Sequence, residues 1–373
     1  MRMKILFWIS VAIPLYAYVG YPVALLLLRL VHHRPVRKGP AEPFVSLLVP
    51  AHNERDMIER KIRNALALHY PSDKLEIVIA CDGSTDATPD IAKQLADGQR
   101  VRVLAFPLNR GKVATFNEAI RSLRGDVIVF SDATALLHPD SVARLVANFA
   151  DATVGAVSGK YTVIEADEDG AGRSEDVYWR YETLLKMLES ELSSTLGAHG
   201  HLHAIRRELY PFPDPATIND DYVIPVSVVG RGFRAVYEPT AIVSEEAREM
   251  SGFSRRVRIM AGNIQQLREI GSLCSPPRLM PLFFFLSHKA VRLLVPFAML
   301  GALLANLFLW DSSPFYGALI VLQAAFYLLA LAGLAVTLRP RLLMLPCYFT
   351  TINAAVFVGL YHALTGRRSL AWK

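Results

Sequence analysis

Apolar residues fall into three zones along this chain. Residues 5–31 form one long apolar run, broken chiefly by Pro14, Pro22 and Arg29. The run is too long for a signal-peptide core and has no small-residue cleavage site, so it predicts a membrane span. From residue 44 to about 245 the apolar positions come in short runs separated by polar turns. From Leu279 onward the sequence is membrane-like again, with spans predicted at about 281–310, 314–337 and 341–363. Lys289 and Arg292 lie inside the first of these, so it begins as an interfacial helix and spans from about Leu293.

In the middle zone, residues 45–50, 75–80 and 127–130 read as strands apolar on both faces, the pattern of a sheet covered on both sides. Residues 101–106 read as another strand. Helical periods occupy 54–68, 85–95, 115–123 and 140–149. This alternation predicts an α/β fold with a parallel sheet and right-handed crossovers. Residues 165–176 read as a polar loop, and 178–192 as an amphipathic helix. The Arg-rich helix at 253–270 suits a membrane interface or an ordinary protein surface.

The stretch Asp126–Thr134 organises the middle zone, because its strand ends abruptly in Ser131-Asp132. Two earlier strands end in the same way, one running into Glu54 and the other into Asp82. Ligands of open α/β sheets bind beyond the carboxyl ends of the strands. Three carboxylates on that rim suit a cation and a cation-bound phosphate ligand better than a bare anion.

The chain is 52% hydrophobic with a net charge of +6, much of that charge lying in residues 29–38 beside the first span. The basic cluster places residue 32 onward in the cytoplasm. No basic motif interleaved with aromatics points to nucleic acid. Cys81, Cys274 and Cys347 are far apart and show neither metal spacing nor a disulfide framework, which fits a reducing compartment. One span followed by three puts the C-terminus outside, whereas Arg367, Arg368 and Lys373 favour the inside.

Six motifs then occur in order: Val-Pro-Ala-His-Asn-Glu54, Cys-Asp82-Gly-Ser-Thr-Asp86, Asn109-Arg-Gly-Lys112, Phe-Ser-Asp132-Ala-Thr, Asn-Asp-Asp221-Tyr and Gln265-Gln-Leu-Arg268. Together they resemble the family 2 glycosyltransferases, and within them the membrane-integrated branch with cellulose, chitin and hyaluronan synthases. The resemblance implies a GT-A fold, a nucleotide-binding α/β domain flanked by transmembrane helices. It implies that Glu54 and Asp82 hold the nucleotide, that Lys112 and Arg268 meet the diphosphate, that Gln265 belongs to the same nucleotide-sugar site, and that Asp132 holds Mg²⁺ or Mn²⁺. Asp221 matches the general base of inverting transferases, while Asp86 and Asp220 read as helix caps.

Three positions depart from the family pattern. Thr134 stands where a second carboxylate is usual, and Glu269 where a tryptophan would stack on the acceptor. His199 stands near where related sequences often carry an acidic residue, and it alternates with His201 and His203, which on an extended segment puts all three on one side. One of them completes the metal site in place of Thr134, or they line the acceptor site or simply pack.

These readings divide the chain into 1–43 (transmembrane helix and basic segment), 44–250 (cytoplasmic catalytic domain), 251–292 (interfacial helices) and 293–373 (transmembrane helices). The implied activity is inverting transfer from a nucleotide-sugar, UDP-linked, to a polysaccharide or lipid-linked acceptor at the cytoplasmic face of the plasma membrane. Membrane lipids and other polysaccharide-assembly proteins are the expected partners. The alternative is a non-catalytic membrane scaffold within a polysaccharide synthesis complex.

Overall fold

The structure is a computed structural model. It describes residues 1–164, 172–246, 253–274, 278–336 and 341–365. Most of the polar stretch 165–176, and Arg367, Arg368 and Lys373, lie outside those residues.

Eight strands form one sheet: β1 (Val45–Ala51), β2 (Leu75–Asp82), β3 (Val101–Phe106), β4 (Val127–Phe130), β5 (Leu136–Leu137), β6 (Val154–Ile164), β7 (His203–Arg206) and β8 (Arg234–Glu246). Their order is β3-β2-β1-β4-β7-β6-β8-β5. The block β3-β2-β1-β4 is parallel throughout, as its apolar runs predict. The other half is mixed, because β7 runs antiparallel to both β4 and β6. His203, the first residue of β7, pairs with Phe130, the last of β4. The chain therefore enters β7 from the carboxyl rim, and residues just before it are delivered to that rim.

Every residue of β1, β2 and β4 is buried, and the side chains divide by parity between two cores. Leu47, Val49, Ile77, Ile79 and Val129 face one side, where Ile58, Ile62 and Ala65 of the helix Ile58–Leu66 cover them. Leu48, Val78, Ile128 and Phe130 face the other, under Phe116 of the helix Lys112–Ala119 and Leu185 and Leu188 of the helix Gly172–Leu192. Tyr21 and Leu25 from the first apolar helix, and Phe284 and Phe285 from a later one, complete this second core.

Four helices are long and apolar enough to cross a membrane: Arg2–Val31, Leu279–Leu307, Pro314–Ala335 and Leu345–Thr365. Large apolar side chains such as Leu300, Val321 and Leu331 point outward from them. So wide an apolar face is untenable in water and suits lipid. The second of these helices runs as one continuous element from Leu279 to Leu307. Within it a π-helical stretch, Phe285–Ala290, carries His288. His288 Nδ1 lies 2.6 Å from Glu189, which also accepts a 2.7 Å hydrogen bond from the Tyr21 hydroxyl. Glu182 meets Arg292 and His288. These buried pairs lock the apolar helices onto the helix Gly172–Leu192, and so onto the sheet.

Candidate active site

The rim begins at the β1 and β2 tips. Asn53 adopts a left-handed conformation (φ 55°), which asparagine tolerates better than most residues. Its side-chain oxygen accepts from the Thr85 N–H at 2.8 Å. Asp86 accepts from the Thr88 N–H at 2.9 Å and the Arg55 N–H at 3.2 Å, while the cap residue of the helix Thr88–Gln94 is Ala87. Glu54 is half-buried at the same tip, with its N–H given to the Thr88 hydroxyl at 2.8 Å.

Asp82 is fully buried. Its carboxylate accepts the N–H groups of Arg110 (3.0 Å) and Gly111 (2.8 Å). This side chain, expected at the nucleotide, here shapes the loop that delivers Lys112. Gly83 (φ 59°) permits the arrangement, since a Cβ on it would stand 2.1 Å from the Asn109 nitrogen and 2.4 Å from the Leu108 carbonyl carbon. Gly83→Ala is therefore expected to drive the β2 tip and the 108–111 loop apart. A lower melting temperature, corresponding to about 1–3 kcal/mol of strain, and weaker nucleotide binding would register it.

Lys112 is the first residue of its helix, a place where a cation opposes the helix dipole. Two carboxylates hold it there. Its Nζ lies 2.9 Å from Asp132 Oδ1 and 3.5 Å from Asp220 Oδ2. Burial works against ionisation of Asp132, yet Lys112, and behind it His201 and Lys61, keep its carboxyl below the ordinary range. Burial raises the Asp220 carboxyl; Lys112 opposes the rise, and Asp221 and Asp132 add to it. Asp220, read from sequence as a cap, thus points into the site. Asp221 is half-buried and faces the 197–201 loop: a Cβ on Gly200 would stand 3.5 Å from its Oδ2.

Lys61 was not singled out by any sequence motif. It is completely buried beneath the Asp132 turn. Its Nζ donates to Ser131 Oγ at 2.7 Å and to the Ala135 carbonyl, bracketing Asp132. Burial lowers its ammonium to about 7. A lone lysine on the inner face of an amphipathic helix was the available signal.

The three histidines do not share one side. His203 is buried and stacks on Phe130, with ring centroids 4.6 Å apart. His199 is buried between Tyr161 and Tyr237. A bridge between His199 and Leu202 turns the segment, which breaks the alternation. His201 is the histidine at the rim, its Nε2 lying 3.9 Å from Asp132 Oδ2 and 3.2 Å from Glu245 Oε2.

Gln265 does not reach this cluster. Its Oε1 accepts from the Ile218 N–H at 3.0 Å and its Nε2 donates to the Ala216 carbonyl at 3.1 Å. Both ends of an amide expected in the nucleotide-sugar site are engaged in holding the segment that leads to Asp220-Asp221. The helix Phe253–Gln265 lies close to that segment, because a Cβ on Gly262 would come within 2.5 Å of the Asn219 amide. Arg268 is exposed on the turn Gln266–Glu269.

A divalent cation at this rim fits its donor chemistry. Carboxylate oxygen suits Mg²⁺ and Mn²⁺, and Asp132 turns one oxygen to Lys112 and the other to His201. Among the described residues, no three His, Cys, Asp or Glu side chains stand together in ready ligand positions. Cations held by one or two carboxylates and completed by substrate phosphates and water need no such cage.

Residues 46–211 match the family model described as Glycosyl transferase family 2. A probable glycosyltransferase, YdaM, of Bacillus subtilis (strain 168) is 36% identical over 129 residues, 33% of this chain and 31% of the relative. The poly-beta-1,6-N-acetyl-D-glucosamine synthase of Staphylococcus aureus (strain MSSA476) is 26% identical over 264 residues, 67% of this chain and 62% of the relative. This chain therefore spans under two thirds of the length of these curated relatives. The structure is similar to that of the mannosyltransferase PcManGT from Pyrobaculum calidifontis in complex with GDP-Man and Mn²⁺. That likeness has a TM-score of 0.73 at 25% identity and covers 97% of this chain and 100% of the other.

Proposed function

We propose that this chain, whose residues 46–211 match the Glycosyl transferase family 2 model and whose fold is similar to that of a GT-A mannosyltransferase, is an inverting, membrane-integrated transferase. It takes a sugar from a nucleoside diphosphate donor and passes it to a hydroxyl of a polysaccharide or lipid-linked glycan at the cytoplasmic face of the membrane. The observation that carries this reading is the convergence of Lys112, Asp132 and Asp220, with Asp221 adjoining, on the carboxyl rim of the sheet. A UDP-linked donor is the reading from sequence. A GDP-linked donor is the second reading, favoured by the likeness to a GDP-Man-bound mannosyltransferase.

Glu54 and the loop shaped by Asp82 receive the nucleotide. Lys112 and Arg268 meet the diphosphate, Lys112 as a point charge and Arg268 as a planar fork. Asp132 would hold a divalent cation, which when bound supplies charge neutralisation to the leaving diphosphate. Asp221 takes the proton of the acceptor hydroxyl as that oxygen attacks the anomeric carbon and the nucleoside diphosphate departs with the bonding pair. Lys61, Gln265 and Asn219 keep these groups in place. A donor also competes with Asp132 for Lys112, which gives the site two charge arrangements.

Four apolar helices, together with the first two joined to the catalytic core by Tyr21, Glu189 and His288, support action on an acceptor at the membrane. The purified protein in nanodiscs, offered a panel of UDP- and GDP-sugars with Mn²⁺ or Mg²⁺ and a membrane lipid extract, is expected to release nucleotide from one donor. Tight nucleotide binding with no release from any donor would favour the scaffold reading.

A further inference from the structure

The Asp132-Ala133-Thr134 turn has one carboxylate where its family pattern has two, and a buried glutamate from a distant strand lies beside it. β5 and β8 pair antiparallel with Leu136 opposite Ser244 and Leu137 opposite Val243. One step further along, this register sets Glu245 opposite Ala135, directly behind Thr134. Glu245 is 7% exposed. Its carboxylate accepts hydrogen bonds from the Thr134 hydroxyl and, at 3.1 Å, from the Tyr161 hydroxyl. His201 Nε2 lies 3.2 Å away and stacks its ring on Tyr161 at 4.3 Å between centroids. That same nitrogen is the one 3.9 Å from Asp132 Oδ2. Two hydroxyls and one imidazole thus converge on a single carboxylate that the transfer reaction itself does not use.

Burying a carboxylate this deeply is costly unless something nearby gains from its charge. Thr134 is a neutral donor, and its proton is turned to Glu245, which leaves the hydroxyl's lone pairs free to face the rim. His201 is likewise held between Glu245 and Asp132. Resting on the transferase reading above, we propose that Glu245 is the stand-in for the missing second carboxylate. It acts as a positioning residue that polarises Thr134 and orients His201 toward a divalent cation at Asp132. The negative charge that the usual turn carries in sequence is supplied here through space, from the end of β8. Groups behind the direct ligands set ligand orientation and basicity in this manner, and losing them weakens metal affinity by about 10–100-fold.

Relocating the charge provides the test. Mn²⁺ binding to the full-length protein in nanodiscs, with UDP or GDP present, is read by electron paramagnetic resonance. Glu245→Gln is expected to weaken binding at least about tenfold. The double variant Thr134→Asp with Glu245→Gln, which moves the carboxylate onto the turn, is expected to recover most of that loss. Tyr161→Phe removes one hydrogen bond to Glu245 but leaves its charge in place, and is expected to weaken binding less than Glu245→Gln does. Melting temperatures confirm that each variant is folded. Wild-type affinity in Glu245→Gln, or a folded double variant that binds no better than Glu245→Gln, would overturn the inference while leaving wild-type transfer intact. A wild-type protein that transfers no sugar from any donor would instead remove the transferase reading on which it rests.

Discussion

Asp221→Asn is expected to lower sugar transfer by about 10²–10⁴-fold while nucleotide binding and melting temperature stay close to those of the parent. The substitution keeps the shape of the side chain and removes only its capacity to take a proton. The backbone here is anchored independently, since the Asp221 carbonyl accepts from the Ala198 N–H at 2.6 Å. The first turn of its helix loses one of its two acidic residues, Asp220 and Asp221, worth about 0.3–1 kcal/mol through the helix dipole. Asp220→Asn should behave differently. Asp220 faces Lys112, so its loss leaves Lys112 paired with Asp132 alone and alters donor affinity more than proton removal. Single-turnover nucleotide release alongside calorimetric nucleotide binding separates the two. Unchanged transfer in Asp221→Asn would remove the base from the mechanism and point to an acceptor whose nucleophile is already an anion.

That pair illustrates what the sequence could and could not convey. The edge strand β3 is only partly buried, whereas β1, β2 and β4 were legible because parallel strands covered on both faces leave unmistakable apolar runs. Their carboxyl tips were legible for the same reason, since a charge directly after such a run has nowhere to go but the rim. The helices around them were predicted in the right places, although each begins or ends a few residues from its expected bounds. The mixed half of the sheet was not legible. β7 is four residues long, and β8 contains Pro239 and an irregular pairing with β6. Neither presents an alternating pattern long enough to fix a direction, and only the tertiary pairing of His203 with Phe130 reveals that β7 is fed from the rim.

Within the site, residues in motifs were found and residues acting across the fold were not. Asp132 and Lys112 are 20 positions apart yet 2.9 Å from one another, and the motif order brought both to notice. Lys61 and Glu245 reach the same turn from an early helix and the last strand, which no local spacing signals. Asp82 and Gln265 were recognised as important, but their side chains are engaged with backbone groups. The features that mark a ligand contact and a loop-shaping contact are identical in sequence: a polar residue at a fixed offset from an apolar run. Which partner it meets depends on backbone brought in from elsewhere, in these cases residues 110–111 and 216–218.

Lys112→Met is expected to be the most damaging single change, because it removes the cation that Asp132 and Asp220 share. The side chains of Lys112 and Asp132 are 18% and 23% exposed, so this pair is largely withdrawn from solvent. Breaking a buried pair from one side costs about 3–5 kcal/mol, and the residual exposure argues for the lower end. Donor affinity should fall as well, by about 10–100-fold, since a hydrogen bond to a charged group contributes about 1.5–3 kcal/mol. The loss of stability should depend on pH in a definite direction. The Asp220 carboxyl is raised by burial even with Lys112 present, so it gives stability as pH falls from that raised value toward the ordinary carboxylate range near about 4. Without Lys112, which pulls it down, the window moves upward, and protonation relieves the repulsion among Asp132, Asp220 and Asp221. The stability gap between Lys112→Met and the parent should therefore narrow as pH is lowered from 7 to 5. Asp132 does not mask the effect, because its lowered carboxyl gives up its stability only at more acidic pH. Lys112→Arg, which keeps the charge, should recover most of the stability at pH 7. Melting curves of the three proteins across that range check the prediction, and a gap that stays constant with pH would show that Lys112 contributes by packing on Phe116 rather than by its charge.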